Sequence, residues 1–256
     1  MESGIDQATL EAEIRTVFQR HGTSEYAFLI EELPSLKALH PGEDLTVVYS
    51  SAIEAYRVAR RKSRHLYPNV LETLQQLKSQ GCLVVAYTES RSYYTLRRVK
   101  TLGLDGLLDY LYSTPDHAIP DSVERWYDKE DYELSYTVQG LTEEGEYKPN
   151  PHILSEIIST VGADPEKTIY IGDSLIKDVY MAQQAGITDV FAAYGVAQYR
   201  EAYELLRRVS HWSEADVERE KAIYKNMKIK PTYTLENNFG EILDIFTFVP
   251  HHFRRK

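Results

Sequence analysis

Lys167-Thr-Ile-Tyr-Ile-Gly-Asp-Ser-Leu-Ile-Lys-Asp178, followed directly by Val-Tyr-Met-Ala-Gln-Gln-Ala-Gly186, decides the fold. Residues 168–171 are a short apolar, β-branched run that reads as a strand, and Gly172 lets the backbone turn sharply after it. Asp173 then stands at the carboxyl end of that strand, and Asp178 falls in the first turn of a helix running to about residue 185. In an open α/β sheet, ligands bind outside the carboxyl ends of the strands. Two carboxylates placed there suit a hard divalent cation that bridges to a phosphate. An N-cap aspartate and a first-turn helix acid are the structural explanation for the same pair. The glycine, both carboxylates and the closing Ala185-Gly186 occur together, which favours a site.

Outward from this stretch the chain alternates. Pro68 opens a helix with Leu71, Leu74 and Leu77 on one face, ending at Gly81. Residues 82–87 form a continuous apolar strand, the pattern of a parallel strand buried on both faces, and it ends at Thr88. A helix over 92–101, stopped by Gly103, leads to a short strand near 110–113. Residues 114–146 carry Pro115, Pro120, Gly140, Gly145 and many charges, and read as an irregular excursion. A helix over 151–161, a strand over 189–193, a helix over about 197–209 and an amphipathic stretch over 239–246 follow. Strands alternating with helices predict a parallel sheet, hence an α/β, Rossmann-like core over 66–256.

Residues 1–65 are different. Thr9 can cap a helix with Leu10, Ile14, Val17 and Phe18 at helical spacing. A second helical segment over 26–33 stops at Pro34, and a third over 51–62 ends in Arg60-Arg61-Lys62. No strand signal appears before residue 80, so this region is read as an all-helical module.

Two further segments belong with the acidic pair. Lys148 stands before Pro149-Asn150-Pro151, where the prolines stiffen a helix start and aim the lysine at a phosphate or a carboxylate. Thr88 ends a strand and is followed by Glu89-Ser90-Arg91-Ser92, so Thr88, Glu89 and Ser90 are candidates for contact with a phosphate near a helix N-terminus. A helix cap at Ser90 or Ser92 is the competing explanation.

Composition limits the rest. The 256 residues carry 29 basic and 39 acidic side chains, a net charge of -10, which argues against a nonspecific nucleic-acid binder. The single cysteine, Cys82, excludes a disulfide framework. The start lacks the basic and apolar regions of a signal peptide, and no apolar run approaches the roughly 20 residues that span a bilayer, so a cytoplasmic protein without membrane partners is expected. The 20 tyrosines are read as amphipathic surface and core filling. The eight histidines show no metal-ligand spacing, and no glycine-rich phosphate loop is present.

These pieces resemble the haloacid dehalogenase-like hydrolase superfamily, mostly magnesium-dependent phosphatases. Residues 83–88 are similar to its second motif, Lys148-Pro149 to its third, and Gly172-Asp-Ser-Leu-Ile-Lys-Asp178 to its fourth, over about 66–200. The helical 1–65 module is similar to the cap that many members carry. The resemblance implies that Asp173 binds Mg2+, that Asp178 holds the metal or its waters, that Lys148 neutralises charge, and that Thr88 bonds the phosphoryl oxygens. It implies hydrolysis of a small phosphorylated metabolite through an aspartyl-phosphate; phosphomutase and dehalogenase chemistry are alternatives within the family, and an inactive binding or regulatory protein is another. The chain departs from the pattern at the first motif: it contains no Asp-x-Asp, and Asp6 follows no apolar strand. A core without its central first strand, with no nucleophile and no activity, is therefore expected, from a mis-assigned start or a truncation upstream of Met1. Oligomeric state is not readable from the sequence.

Overall fold

The computed structural model describes residues 3–116, 132–196, 203–213, 215, 218, 222 and 229–251. They group into two compact units, Met1–His65 with Ala197–Arg219 and Leu66–Val196 with Glu220–Lys256.

The first unit is helical: α1 (Gln7–His21), α2 (Leu29–Glu32), α3 (Pro34–Leu39), α4 (Leu45–Val48), α5 (Ser50–Ser63) and α10 (Tyr203–Val209). The cap of α1 is Asp6, not Thr9; its carboxylate accepts from the Thr9 hydroxyl and then the Thr9 N–H, which lowers its pKa and explains an aspartate there without catalysis. Pro34 does not merely stop a helix but begins α3, since a first-turn proline has no N–H to lose. Tyr26, Phe28, Leu33, Leu36, Leu45 and Tyr49 are buried. The helix expected over 197–209 is observed as α10; residues 197–202 lie outside the described residues. α10 packs on α1, where Arg208 pairs with Glu11 at 2.8 Å.

The second unit is α/β. Its helix α6 (Val70–Ser79) starts after Asn69, which holds the left-handed conformation (φ 64), so Pro68 precedes the helix. Among the described residues six strands follow: β1 (Val85–Arg91), β2 (Tyr110–Thr114), β3 (Val138–Leu141), β4 (Ile169–Gly172), β5 (Thr188–Ala192) and β6 (Tyr233–Leu235). Between them lie α7 (Ser92–Thr101), α8 (Pro151–Thr160) and α9 (Met181–Gln184), and a short helix, Ile242–Ile245, comes last. Among the described residues every pairing is parallel, and these strands form two three-stranded sheets, in the orders β1-β2-β3 and β4-β5-β6.

Two strands were missed in the sequence. β3 lies inside the segment read as irregular, where Asp105 accepts the N–H groups of Ser135, Tyr136 and Thr137 and sets the chain beside β2. β6 follows Thr232, whose N–H and hydroxyl both bond the buried Asp189 of β5. Each is recruited by a distant carboxylate rather than by its own apolar pattern. β1 also runs past Thr88 to Arg91, with an irregularity between Tyr87 and Arg91. It was expected to be buried on both faces, yet Val85–Ser90 are only half-buried, because β1 is a terminal strand of its sheet.

The apolar faces are covered by helices. Leu77, Cys82, Val190, Leu235 and Ile242 form one core, and Leu154, Ile158, Met181, Ala182 and Ile187 another, with Tyr87 and Tyr170 packed on the second. Burying whole Leu, Ile and Val side chains stabilises by about 1.5–3 kcal/mol each. A third core, Leu96, Val99, Leu108 and Leu111, seats α7 on β1 and β2.

Candidate active site

The centre of the site is Lys148. Its ammonium lies 3.0 Å from Asp178 Oδ1, and the two side chains are 12% and 8% exposed. The ammonium also donates to the backbone carbonyl of Tyr87 at 3.4 Å, and sits 4.7 Å from the Tyr87 ring and 5.5 Å from the Tyr170 ring. Aromatic faces attract a cation, so the two rings confine it. Tyr87 belongs to β1 and Tyr170 to β4, so one lysine touches the terminal strand of each sheet. It lies on a loop just before α8, which Asn150 caps.

Asp178 is fully engaged. Oδ1 accepts Lys148 and the Tyr170 hydroxyl (3.2 Å), and Oδ2 accepts the Ser174 N–H (3.1 Å). The turn that places it is π-helical, Leu175–Tyr180, with the Ser174 hydroxyl capping the Lys177 N–H. A wide turn of this kind is a frequent functional-site feature. The sequence reading gave Gly172 a sharp-turn role. Its φ is not positive, and the need is spatial: a Cβ there would stand 2.2 Å from Asp178 Cγ. Burial, then the charge and hydrogen bond of Asp178, push the Tyr170 phenol well above its ordinary range. Burial pushes Tyr87 up to about 12, against the pull of Lys148.

Glu89 joins this centre. Its Oε1 accepts the Lys148 backbone N–H at 2.6 Å, and its Oε2 pairs with Lys177 at 2.9 Å. Thr88 sits one residue away, with its hydroxyl accepting the Ser90 N–H at 3.1 Å. Neither Ser90 nor Ser92 caps α7; the Asp116 carboxylate takes the Tyr93 N–H. Asp173 is exposed beyond the end of β4, with its Cβ against Gly195. The structure thus brings Lys148, Asp178 and Glu89 into direct contact, keeps Thr88 and Ser90 adjacent, and sets Asp173 at the rim. Sequence reasoning missed Tyr87, Tyr170 and Lys177. The one available signal was that each neighbours a residue already singled out in chain or strand.

Among the described residues, no three His, Cys, Asp or Glu side chains form a metal-holding group. Mg2+ keeps several waters and takes one or two carboxylates together with phosphate oxygens, so the exposed carboxylate of Asp173 suits the ion itself, while Asp178, with both oxygens bonded to protein donors, suits its waters.

A family model described as haloacid dehalogenase-like hydrolase matches residues 3–186. The chain belongs to this family. It is 24% identical to the glyceraldehyde 3-phosphate phosphatase of Methanopyrus kandleri over 190 residues, 74% of this chain and 68% of that one. It is 32% identical to the phosphoglycolate phosphatase of Nitrosococcus oceani over 159 residues, 60% of this chain and 57% of that one. Among solved structures it is similar to a magnesium-bound HAD-hydrolase of Bacillus subtilis, at a TM-score of 0.47 and 16% identity, covering 93% of this chain and 78% of the other. No helix of the described residues is long and apolar enough to cross a membrane.

Proposed function

We propose that this haloacid dehalogenase-like hydrolase is of the phosphomonoesterase type and acts, with Mg2+, on a small phosphorylated metabolite. The observation that carries the reading is the Lys148 ammonium, held by Asp178 at the carboxyl end of β4. A lysine fixed there can draw a phosphoryl group and spread its charge. Thr88 would donate to a phosphoryl oxygen. Asp173 would hold the ion directly and Asp178 its waters; when bound, the ion withdraws charge from the phosphoryl oxygens. The helical unit formed by Met1–His65 and Ala197–Arg219 would serve as the cap, and a cytoplasmic setting suits such a substrate. The names of the two phosphatase relatives support this substrate class.

An aspartyl-phosphate route needs an attacking carboxylate. Around Lys148 both oxygens of Asp178 and both of Glu89 are bonded to protein donors, so neither suits attack. We therefore propose that residues 1–256 bind phosphate but do not turn over a phosphomonoester. The same observation favours one other reading, an inactive anion-binding protein on this scaffold.

Calorimetry with inorganic phosphate and Mg2+, alongside p-nitrophenyl phosphate assays, tests these readings. Expected are Mg2+-dependent phosphate binding, its loss in Asp173→Ala, and no turnover. Absence of phosphate binding sinks the site, and robust metal-dependent turnover by residues 1–256 sinks the missing nucleophile. Protein purified from its natural source separates the two functions: turnover supports the hydrolase, and binding alone supports the anion-binding protein.

A further inference from the structure

We infer that Glu89 is a positioning residue, the clamp that keeps Lys148 on Asp178, and that it does not itself contact the substrate. Its functional half rests on the proposed role of Lys148 toward phosphate; the clamp itself rests on geometry alone.

The strongest observation is the closed ring of contacts. Glu89 Oε1 holds the Lys148 backbone N–H at 2.6 Å, and Oε2 holds Lys177 at 2.9 Å. Lys148 in turn reaches Asp178, the residue that follows Lys177 in the chain. Three segments are tied: the end of β1, the loop before α8 and the π-helical turn after β4. No backbone ladder joins β1 to β4 among the described residues, and the contacts around Lys148 that link their ends are made by side chains. Lys148 reaches across with its side chain, and Glu89 fixes the backbone from which that side chain springs. Both Glu89 oxygens are spent on protein donors, and a carboxylate turned toward a phosphate would repel it. Bonded to Lys177, its charge is balanced instead. The pair is 23% and 30% exposed, so the hydrogen-bond geometry matters more than the Coulomb energy.

Acetic anhydride footprinting read by mass spectrometry, with phosphate titration beside it, tests the clamp. Lys148 should label slowly in the unaltered protein, relative to the exposed Lys167. Glu89→Ala should label Lys148 about tenfold faster, the scale of one lost charge-assisted hydrogen bond, and weaken phosphate binding by a similar factor. Glu89→Gln keeps an oxygen for the Lys148 N–H and should fall between the two. Lys177→Met removes the other anchor and should speed Lys148 labelling less than Glu89→Ala. Lys78, paired with Asp109 elsewhere, should stay protected throughout. Unchanged Lys148 labelling in Glu89→Ala overturns the clamp, as does equal behaviour of the Ala and Gln variants. Loss of protection at Lys78 as well would make Glu89 a general fold determinant and overturns a role confined to this centre. If no form binds phosphate, the functional reading fails while the labelling still decides the clamp.

Discussion

The two three-stranded sheets are alike in plan and different in how each finishes at the site. In each, a terminal strand, β1 up to Ser90 or β4, is only half-buried, while most positions of the inner strands β2 and β5 are buried. Each terminal strand sends a tyrosine toward Lys148. After β4 the chain enters a π-helical turn whose carboxylate meets the lysine, and the Tyr170 hydroxyl bonds that carboxylate. After β1 the chain enters an ordinary α-helix, and among the described residues the Tyr87 hydroxyl has no hydrogen-bond partner. The tyrosine of the β4 side is therefore part of a satisfied polar network, whereas on the β1 side Glu89 is bonded on both oxygens and the Tyr87 hydroxyl is left orphaned among the described residues. Buried polar groups stabilise only when paired, so equal changes on the two sides should not have equal effects.

The largest effect is expected where the sheets share a residue. Lys148→Met leaves Asp178 buried without its cation and should cost about 3 kcal/mol in urea denaturation. A loss under about 1 kcal/mol would mean that the ion pair does not join the two sides. Gly172→Ala acts on the β4 side alone, since the new methyl occupies the space of the Asp178 carboxyl group; about 1–3 kcal/mol of destabilisation is expected. Phosphate binding should weaken with it, and unchanged binding would show that the Asp178 placement is not needed.

The smallest effects sharpen the comparison most. Tyr170→Phe should cost about 1–2 kcal/mol, while Tyr87→Phe should be neutral or slightly stabilising because it removes an unpaired hydroxyl. Equal losses would erase the asymmetry. Alkaline titration gives a second reading of the same pair. Both phenols are raised in the folded protein, so their contribution is present below the ordinary value of 10.0 and is lost as pH climbs above it, toward about 12 for Tyr87. Thermal melts should show Tm falling over that range, with a shallower fall in Tyr87→Phe.

The longer helices and the β4-turn-helix were legible because their signals are local, whereas the short α3 and α4 were not read. Apolar spacing, Pro151 after Asn150, and the Gly186 stop all lie within a few residues of what they specify. β3 and β6 were not legible, since Gly140 and Thr234 weaken the apolar pattern and distant aspartates, Asp105 and Asp189, dock the chain. The candidate site divides in the same way. Lys148, Asp173, Asp178, Thr88, Glu89 and Ser90 could be named from motif and strand end, but not what each would touch.

By itself, the sequence determined an α/β core with a helical module, the carboxyl-end acidic pair, and a lysine before a stiff helix start. Tertiary structure alone decided that β1 and β4 are terminal strands, that Gly172 makes room for a carboxylate, and that Asp178 is engaged on both oxygens. It also decided that Glu89 serves Lys148 and Lys177. The reason is separation along the chain: Lys148 and Asp178 lie 30 positions apart, and Glu89 and Lys177 lie 88 apart. Such partners are chosen by how strands and helices dock, which no local pattern of residues encodes.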